Sequence, residues 1–310
     1  MLRRPETTLL AVLLVLAVLI GIDNDLFWSP QNLTDIARSA SFTFVVGVGT
    51  TFVLISGGLD LSVGSVYGFG GIVTGLALLA GWPTALSILA GVAAGAFIGL
   101  VNGAIVTQAK VPSVIVTLGM LFIVRGLVLV FSGGAPVYPL PDGFVSLGRG
   151  EILAVPTPIW VAAVVGVLGQ LALSKTVFGR RVYHVGGNET AAYIAGVPVN
   201  RTRIIVFVLS GLTAAVGGIL VAARIASAQP SSGTGLELQV IASVIIGGTS
   251  LFGGAGSVFG TLIGTLLIAV LNNGMIMMHI DPFYQSIVVG VIIVLAVAID
   301  GWRRRRLGLA

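Results

Sequence analysis

The stretch Thr84-Ala-Leu-Ser-Ile-Leu-Ala-Gly-Val-Ala-Ala-Gly-Ala-Phe-Ile-Gly-Leu-Val-Asn-Gly-Ala-Ile105 contains no ionisable side chain over 22 residues. A helix crossing the hydrocarbon core of a bilayer needs about 20 such residues. Its glycines fall at Gly91, Gly95, Gly99 and Gly103, so they share one helix face. That spacing lets a second backbone approach closely. The stretch reads as a membrane helix packed tightly inside its own protein, with a seam between two copies as the sharper alternative. Gly71/Gly75 and Gly260/Gly264 repeat the spacing on a smaller scale.

The rest of the chain has the same character. Of 310 residues, 56% are hydrophobic and 9% charged, against about 25% charged in soluble domains. The mean hydropathy is +1.09. A soluble protein of this size cannot hide so much apolar surface, and a disordered chain would carry far less of it. Apolar runs predict spans near 7–27, 37–56, 63–80, 84–105, 113–132, 158–174, 204–225, 239–251, 256–278 and 283–301. Alternating polarity, the mark of barrel strands, is absent. The expected fold is an all-α polytopic membrane protein forming a single domain over residues 1–310. It has about ten spans, or eight if the shorter runs are re-entrant.

Charge fixes the expected orientation. With the N-terminus inside, the inside segments hold Arg3, Arg4, Lys110, Lys175, Arg180, Arg181, Arg201, Arg203 and Arg303 to Arg306, which is 12 of 16 basic residues. Asp23, Asp25, Asp142, Glu151 and Asp281 fall outside, with Arg149 as a minority cation. This follows the positive-inside rule and places both termini in the cytoplasm. Trp28, Trp82 and Trp302 sit near span ends, as interfacial anchors do. Arg3 and Arg4 before the run Leu9–Ile20 resemble a secretory signal, but no small-residue cleavage site follows, so the segment reads as an uncleaved anchor. The +5 net charge lies in these topological segments, which argues against nucleic acid.

Glycine interrupts two spans. One runs into Ile55-Ser-Gly-Gly-Leu-Asp-Leu-Ser-Val-Gly64, the other into Ile246-Gly-Gly-Thr-Ser-Leu-Phe-Gly-Gly-Ala-Gly256. Gly64-Ser-Val-Tyr-Gly68 then matches Gly256-Ser-Val-Phe-Gly260 at a shift of 192 residues, a hint of internal duplication. Broken helices in corresponding halves point to a transport pathway, because free backbone groups at membrane depth must be buried or line a cavity. Beside the first break, Asp60 and Ser62 are expected to cap the helix starting near Val63, with ion or substrate handling as the alternative. Arg125 lies within a span and needs a carbonyl, an ion-pair partner or a wet cavity. Glu237 follows the polar run Ser227–Gly235 and reads as an outer helix cap. Asn102, Thr117, Asn272 and Asn273 are polar within spans. They either line a weakly binding path or join helices to each other, and the second is the default.

Other chemistry is excluded. There are no cysteines and only two histidines, His184 and His279, so no metal site or thiol chemistry is expected. No glycine-rich loop carries the lysine a nucleotide phosphate needs, so no cofactor is expected and any ATPase must be another chain. No nucleophile, base and oxyanion donor converge as an intramembrane enzyme would require.

The segment 175–203 is the most polar part of the chain. Asn188 is a good N-cap, Glu189–Ala195 is helix-compatible, Gly196 gives a stop and Pro198 bars continuation. So short a helix is unstable alone and needs a surface to dock on, either a partner or the lipid.

Four stretches carry a resemblance: Ile55-Ser-Gly-Gly-Leu-Asp-Leu-Ser-Val-Gly-Ser65, Lys110-Val-Pro-Ser-Val-Ile-Val-Thr-Leu-Gly119, Gly186-Gly-Asn-Glu-Thr-Ala-Ala192 and Glu237–Gly260. In order and spacing, over about residues 35–305, they resemble the permease subunits of bacterial ATP-binding-cassette sugar importers of the ribose, xylose, arabinose and galactoside type. Leu59 replaces a frequent isoleucine. The resemblance implies an inner-membrane permease pairing as a homodimer or heterodimer. It also implies a periplasmic sugar-binding protein that delivers a monosaccharide and a cytoplasmic ATPase that drives alternating access. The cytoplasmic loop of such permeases fits a cleft on the ATPase, which maps here onto Gly186, Gly187, Asn188, Glu189, Ala191, Ala192 and Gly196. The alternative is a stand-alone ion-coupled transporter or channel in which Asp60 and Arg125 carry the coupling.

Overall fold

The computed structural model describes residues 5–281 and, beyond them, positions 284, 287, 288, 290, 291 and 294. Apart from those single positions, the predicted span 283–301 lies outside the described residues, as do Arg3, Arg4, Trp302 and the arginines 303–306. Helices α1 (Pro5–Asp23), α2 (Pro30–Ile55), α3 (Val63–Leu79), α4 (Thr84–Gln108) and α5 (Ser113–Ser132) come first. A short helix α6 (Asp142–Arg149) and the hairpin β1 (Glu151–Ile152)–β2 (Val155–Pro156) follow. Then come α7 (Thr157–Lys175), α8 (Val177–Gly187), α9 (Glu189–Ile194), α10 (Val199–Ile225), α11 (Leu236–Ile246) and α12 (Val258–Met277).

Six of these helices, α2, α4, α5, α7, α10 and α12, are long and apolar enough to cross a membrane. The chain is an all-α polytopic membrane protein. α2 begins seven residues before its predicted start, because Ser29 caps it by accepting from the Asn32 amide and Pro30 occupies its first turn. The break expected after Ile246 is present, and it shortens the predicted span 239–251. α11 has only 11 residues, about 16 Å of helix, roughly half the hydrocarbon thickness. It stops at Gly247 and Gly248, the latter at φ +89°, and the chain stays irregular until Ser257 caps α12.

The spaced glycines serve internal packing. A Cβ on Gly95 would strike the Gly211 carbonyl of α10, one on Gly99 the Phe207 carbonyl, and one on Gly103 the Ile204 backbone. Gly264 of α12 meets the Ser243 carbonyl of α11 in the same way. α10 is therefore the central post, with α2, α3 and α4 drawn up against it. The apolar window of α2 is 83% buried, whereas those of α4, α5 and α7 are 28% buried. Leucine, isoleucine and phenylalanine side chains such as Leu89, Phe97, Phe122 and Ile123 point outward from this outer layer. An apolar exterior around a buried, hydroxyl-rich centre suits lipid as the surrounding solvent.

Candidate functional site

The first break, residues 56–62, lies where α2 ends and α3 has not begun. Its freed backbone groups find partners on α5. The Leu59 amide donates to Ser113 Oγ at 3.0 Å and the Leu61 amide to Thr117 Oγ1 at 3.1 Å, while Thr117 donates to the Leu59 carbonyl at 3.2 Å. Asp60 is only 1% exposed. Its Oδ1 accepts from the Ser62 amide at 3.0 Å and from Ser62 Oγ at 2.6 Å, and its Oδ2 accepts from Ser210 Oγ of α10 at 2.8 Å. Asn102 of α4 donates to Ser62 Oγ at 2.9 Å. This corrects the expected cap. The Ser62 side chain makes no capping bond to α3, because it is turned into the Asp60–Asn102 chain. One carboxylate thus ties the break to α10 directly and to α4 through Ser62.

Arg125 donates through Nη1 to the Pro230 and Ser232 carbonyls, both at 3.0 Å. These carbonyls belong to a loop, 226–235, that begins near Gly75 of α3 and reaches Gly64, eleven residues or about 16 Å along that helix. The loop is irregular backbone at membrane depth, which needs buried partners for its carbonyls, and Arg125 supplies them. A Cβ on Gly64 would strike Glu237 Oε2, so the first turns of α3 and α11 meet here. Asn273 and Asn32 exchange amide bonds at 2.7 and 3.2 Å, joining α12 to α2. Asn272 makes no such pair, and its buried Oδ1 has no hydrogen-bond partner.

The polar segment 175–203 folds as two helices. Thr176 caps α8 through the Gly179 amide at 3.0 Å, an element the sequence reading passed over although Val182 and Val185 stand one turn apart. Asn188 caps α9 through the Ala191 amide at 2.9 Å, as expected. Gly196 at φ +78° ends it, with the Val197 amide returning to the Ala192 carbonyl at 3.0 Å. Glu189 accepts both arms of the Arg203 guanidinium at 2.7 Å.

The predicted coupling residues divide into two groups. Ala191 and Gly196 are exposed, as is Glu189. Ala192 is buried with Val185 and Val199. Gly186 faces inward, where a Cβ would strike the Ile55 carbonyl at the first break, and Gly253 and Gly254 of the second break lie against Gly186 and Gly187. The Gly254 amide itself donates to the Ile55 carbonyl at 2.9 Å. Tyr183 Oη donates to the Gly256 carbonyl at 2.7 Å. One end of α8 therefore rests on both breaks. Tyr193 and Ile194, 74% and 80% exposed, project from α9 on the far side. Sequence reading missed them, although two large apolar residues at the tip of the most polar segment were a visible signal.

Broken membrane helices resting against a small helical pair are the architecture of a transport pathway. A family described as the permease component of branched-chain amino acid transport systems matches residues 32–297. The ribose import permease protein of Escherichia coli K12 is 40% identical over 95% of this chain and 93% of its own length. An L-arabinose permease of Azospirillum brasilense is 38% identical over 95% and 87%, and the D-allose permease of Escherichia coli K12 is 34% identical over 94% and 90%. No solved structure matches. The chain belongs to this family of transport permeases.

Proposed function

We propose that the protein is the permease subunit of an ATP-binding-cassette importer for a monosaccharide in the bacterial inner membrane. The two-sided α8–α9 pair carries the reading. Its glycine end sits on both helix breaks and its Tyr193–Ile194 end is bare, which suits a lever between a motor and a pathway. A cytoplasmic ATPase holds α9 in a cleft through Asn188, Glu189, Ala191 and Gly196, with Tyr193 and Ile194 as the apolar plug. Gly186, Gly187 and Ala192 pass movement inward. Residues 175–203 are then the cytoplasmic coupling segment of a single permease domain spanning 1–310, with both termini inside and about ten spans. A second permease subunit, identical or related, completes the pathway in the lipid bilayer, and a periplasmic sugar-binding protein delivers the solute. The sugar class follows the ribose, arabinose and allose named for the relatives.

An ion-coupled transporter working alone has less support. Asp60 and Arg125, its natural carriers, are taken up by hydrogen bonds to neighbouring elements. The test is uptake in a host expressing the chain with its neighbouring genes. Replacing residues 187–196 by a flexible linker should leave insertion intact and abolish ATP-driven uptake. Undiminished coupled uptake would overturn the docking role, and uptake by the purified chain without ATP would overturn the importer reading.

A further inference from the structure

At the end of the bundle opposite α8 and α9, a cavity of about 450 Å³ opens between α2, α11 and α12. This is within the range of roughly 300–1,000 Å³ typical of small-molecule sites. Its polar lining comes from Asp35, Ser39 and Thr43 of α2, Gln239 of α11, and Thr265, Asn272 and Asn273 of α12. Thr43 and Thr265 lie near the middles of their helices, so the cavity reaches membrane depth. Hydroxyl and amide groups at that depth do not face lipid; they face water, solute or protein. The Asn272 side-chain oxygen is buried without a hydrogen-bond partner, as are Asn102 Oδ1 and Thr74 Oγ1 elsewhere in the spans. Three other polar residues of the described spans are engaged or enclosed. Asn273 is paired with Asn32, Thr117 is bonded to the first break, and Asn102 is fully buried.

We infer that this cavity is a low-affinity monosaccharide site in the outer half of the permease, a role that rests on the importer reading above. Each hydroxyl of a sugar both donates and accepts. Asn272 and Gln239 offer amides that do both and the Thr43 hydroxyl also does both, whereas Thr265, whose proton goes to the Thr261 carbonyl, and Asp35 at the mouth, held by Arg38, only accept. Among the described residues, no aromatic side chain lines the cavity. A pathway site must release its solute, and hydrogen bonds alone suit it.

The chain has no cysteine, so Asn272→Cys and Gln239→Cys each introduce a unique thiol. In the assembled importer in spheroplasts, a membrane-impermeant thiosulfonate added outside is expected to modify both variants. Ribose, arabinose or allose at millimolar concentration should slow that modification at least threefold, while an equal concentration of sorbitol should not. Thr43→Val should cut tritiated-sugar uptake about tenfold. Absence of modification at both positions, or modification that all three sugars leave untouched while the wild-type complex imports one of them, would overturn the site and leave the importer reading standing. A wild-type complex that imports none of them would overturn both.

Discussion

The two helix breaks share sequence but are held in opposite ways. Gly64-Ser-Val-Tyr-Gly68 and Gly256-Ser-Val-Phe-Gly260 follow them in register. The first break is fastened inward, by Asp60 to Ser62 and Ser210 and by α5 hydroxyls to its amides. The second has no carboxylate in it. Its ties run to the α8 helix, through Tyr183, Gly186 and Gly187, and to the first break through the Gly254 amide. A buried carboxyl group with three donors fixes its segment in one arrangement, because releasing it would strand unpaired polar groups in a low dielectric. Backbone contacts between glycines carry no such penalty. The first break therefore reads as a hub and the second as the joint that moves when α8 moves.

The largest effect should come from breaking the hub. Asp60→Ala leaves the Ser62 amide and two hydroxyls without their acceptor, at a cost of about 3 kcal/mol. It should lower the thermal midpoint in detergent and abolish uptake. If Asp60→Ala is as stable as wild type, the hub description fails. Gly186→Ala pushes a methyl into the Ile55 carbonyl and should cost roughly 1–3 kcal/mol. In the assembled complex it should uncouple ATP hydrolysis from uptake, and normal coupling would remove α8 as the lever. Arg203→Gln opens the fork to half-exposed Glu189 and should cost at most about 1 kcal/mol. Coupling should weaken while the thermal midpoint barely shifts, and Arg203→Lys should restore coupling only in part, because an ammonium cannot make the two-armed bond. The smallest expected effect is that of Thr51→Val, which removes the 2.6 Å hydroxyl contact between α2 and α12 at about 0.6 kcal/mol. Unfolding in detergent should show it without loss of uptake, which would separate static packing from the joint.

Legibility differed along the chain. Long uncharged runs such as 84–105 and 204–225 could be placed from composition, because a bilayer demands one length and one polarity. The cap at Asn188 and the stop at Gly196 were equally readable, being local chemistry. The stop of α11 was readable too, in Gly247 and Gly248, but not that its 11 residues cover only about half of the hydrocarbon thickness. Nor was the partner of Arg125 predictable, because its two carbonyls lie more than a hundred residues away.

The sequence by itself determined that the chain lives in lipid, where its helices run, where they break and which family it joins, since hydropathy, glycine spacing and short motifs are local quantities. Only the tertiary structure decided that Asp60 is a knot rather than a cap, that Gly186 faces inward while Tyr193 and Ile194 face out, and that the 226–235 loop reaches the first turns of α3. These depend on which carbonyl or hydroxyl stands opposite a given side chain, and backbones brought into contact by glycine set that pairing across the whole fold.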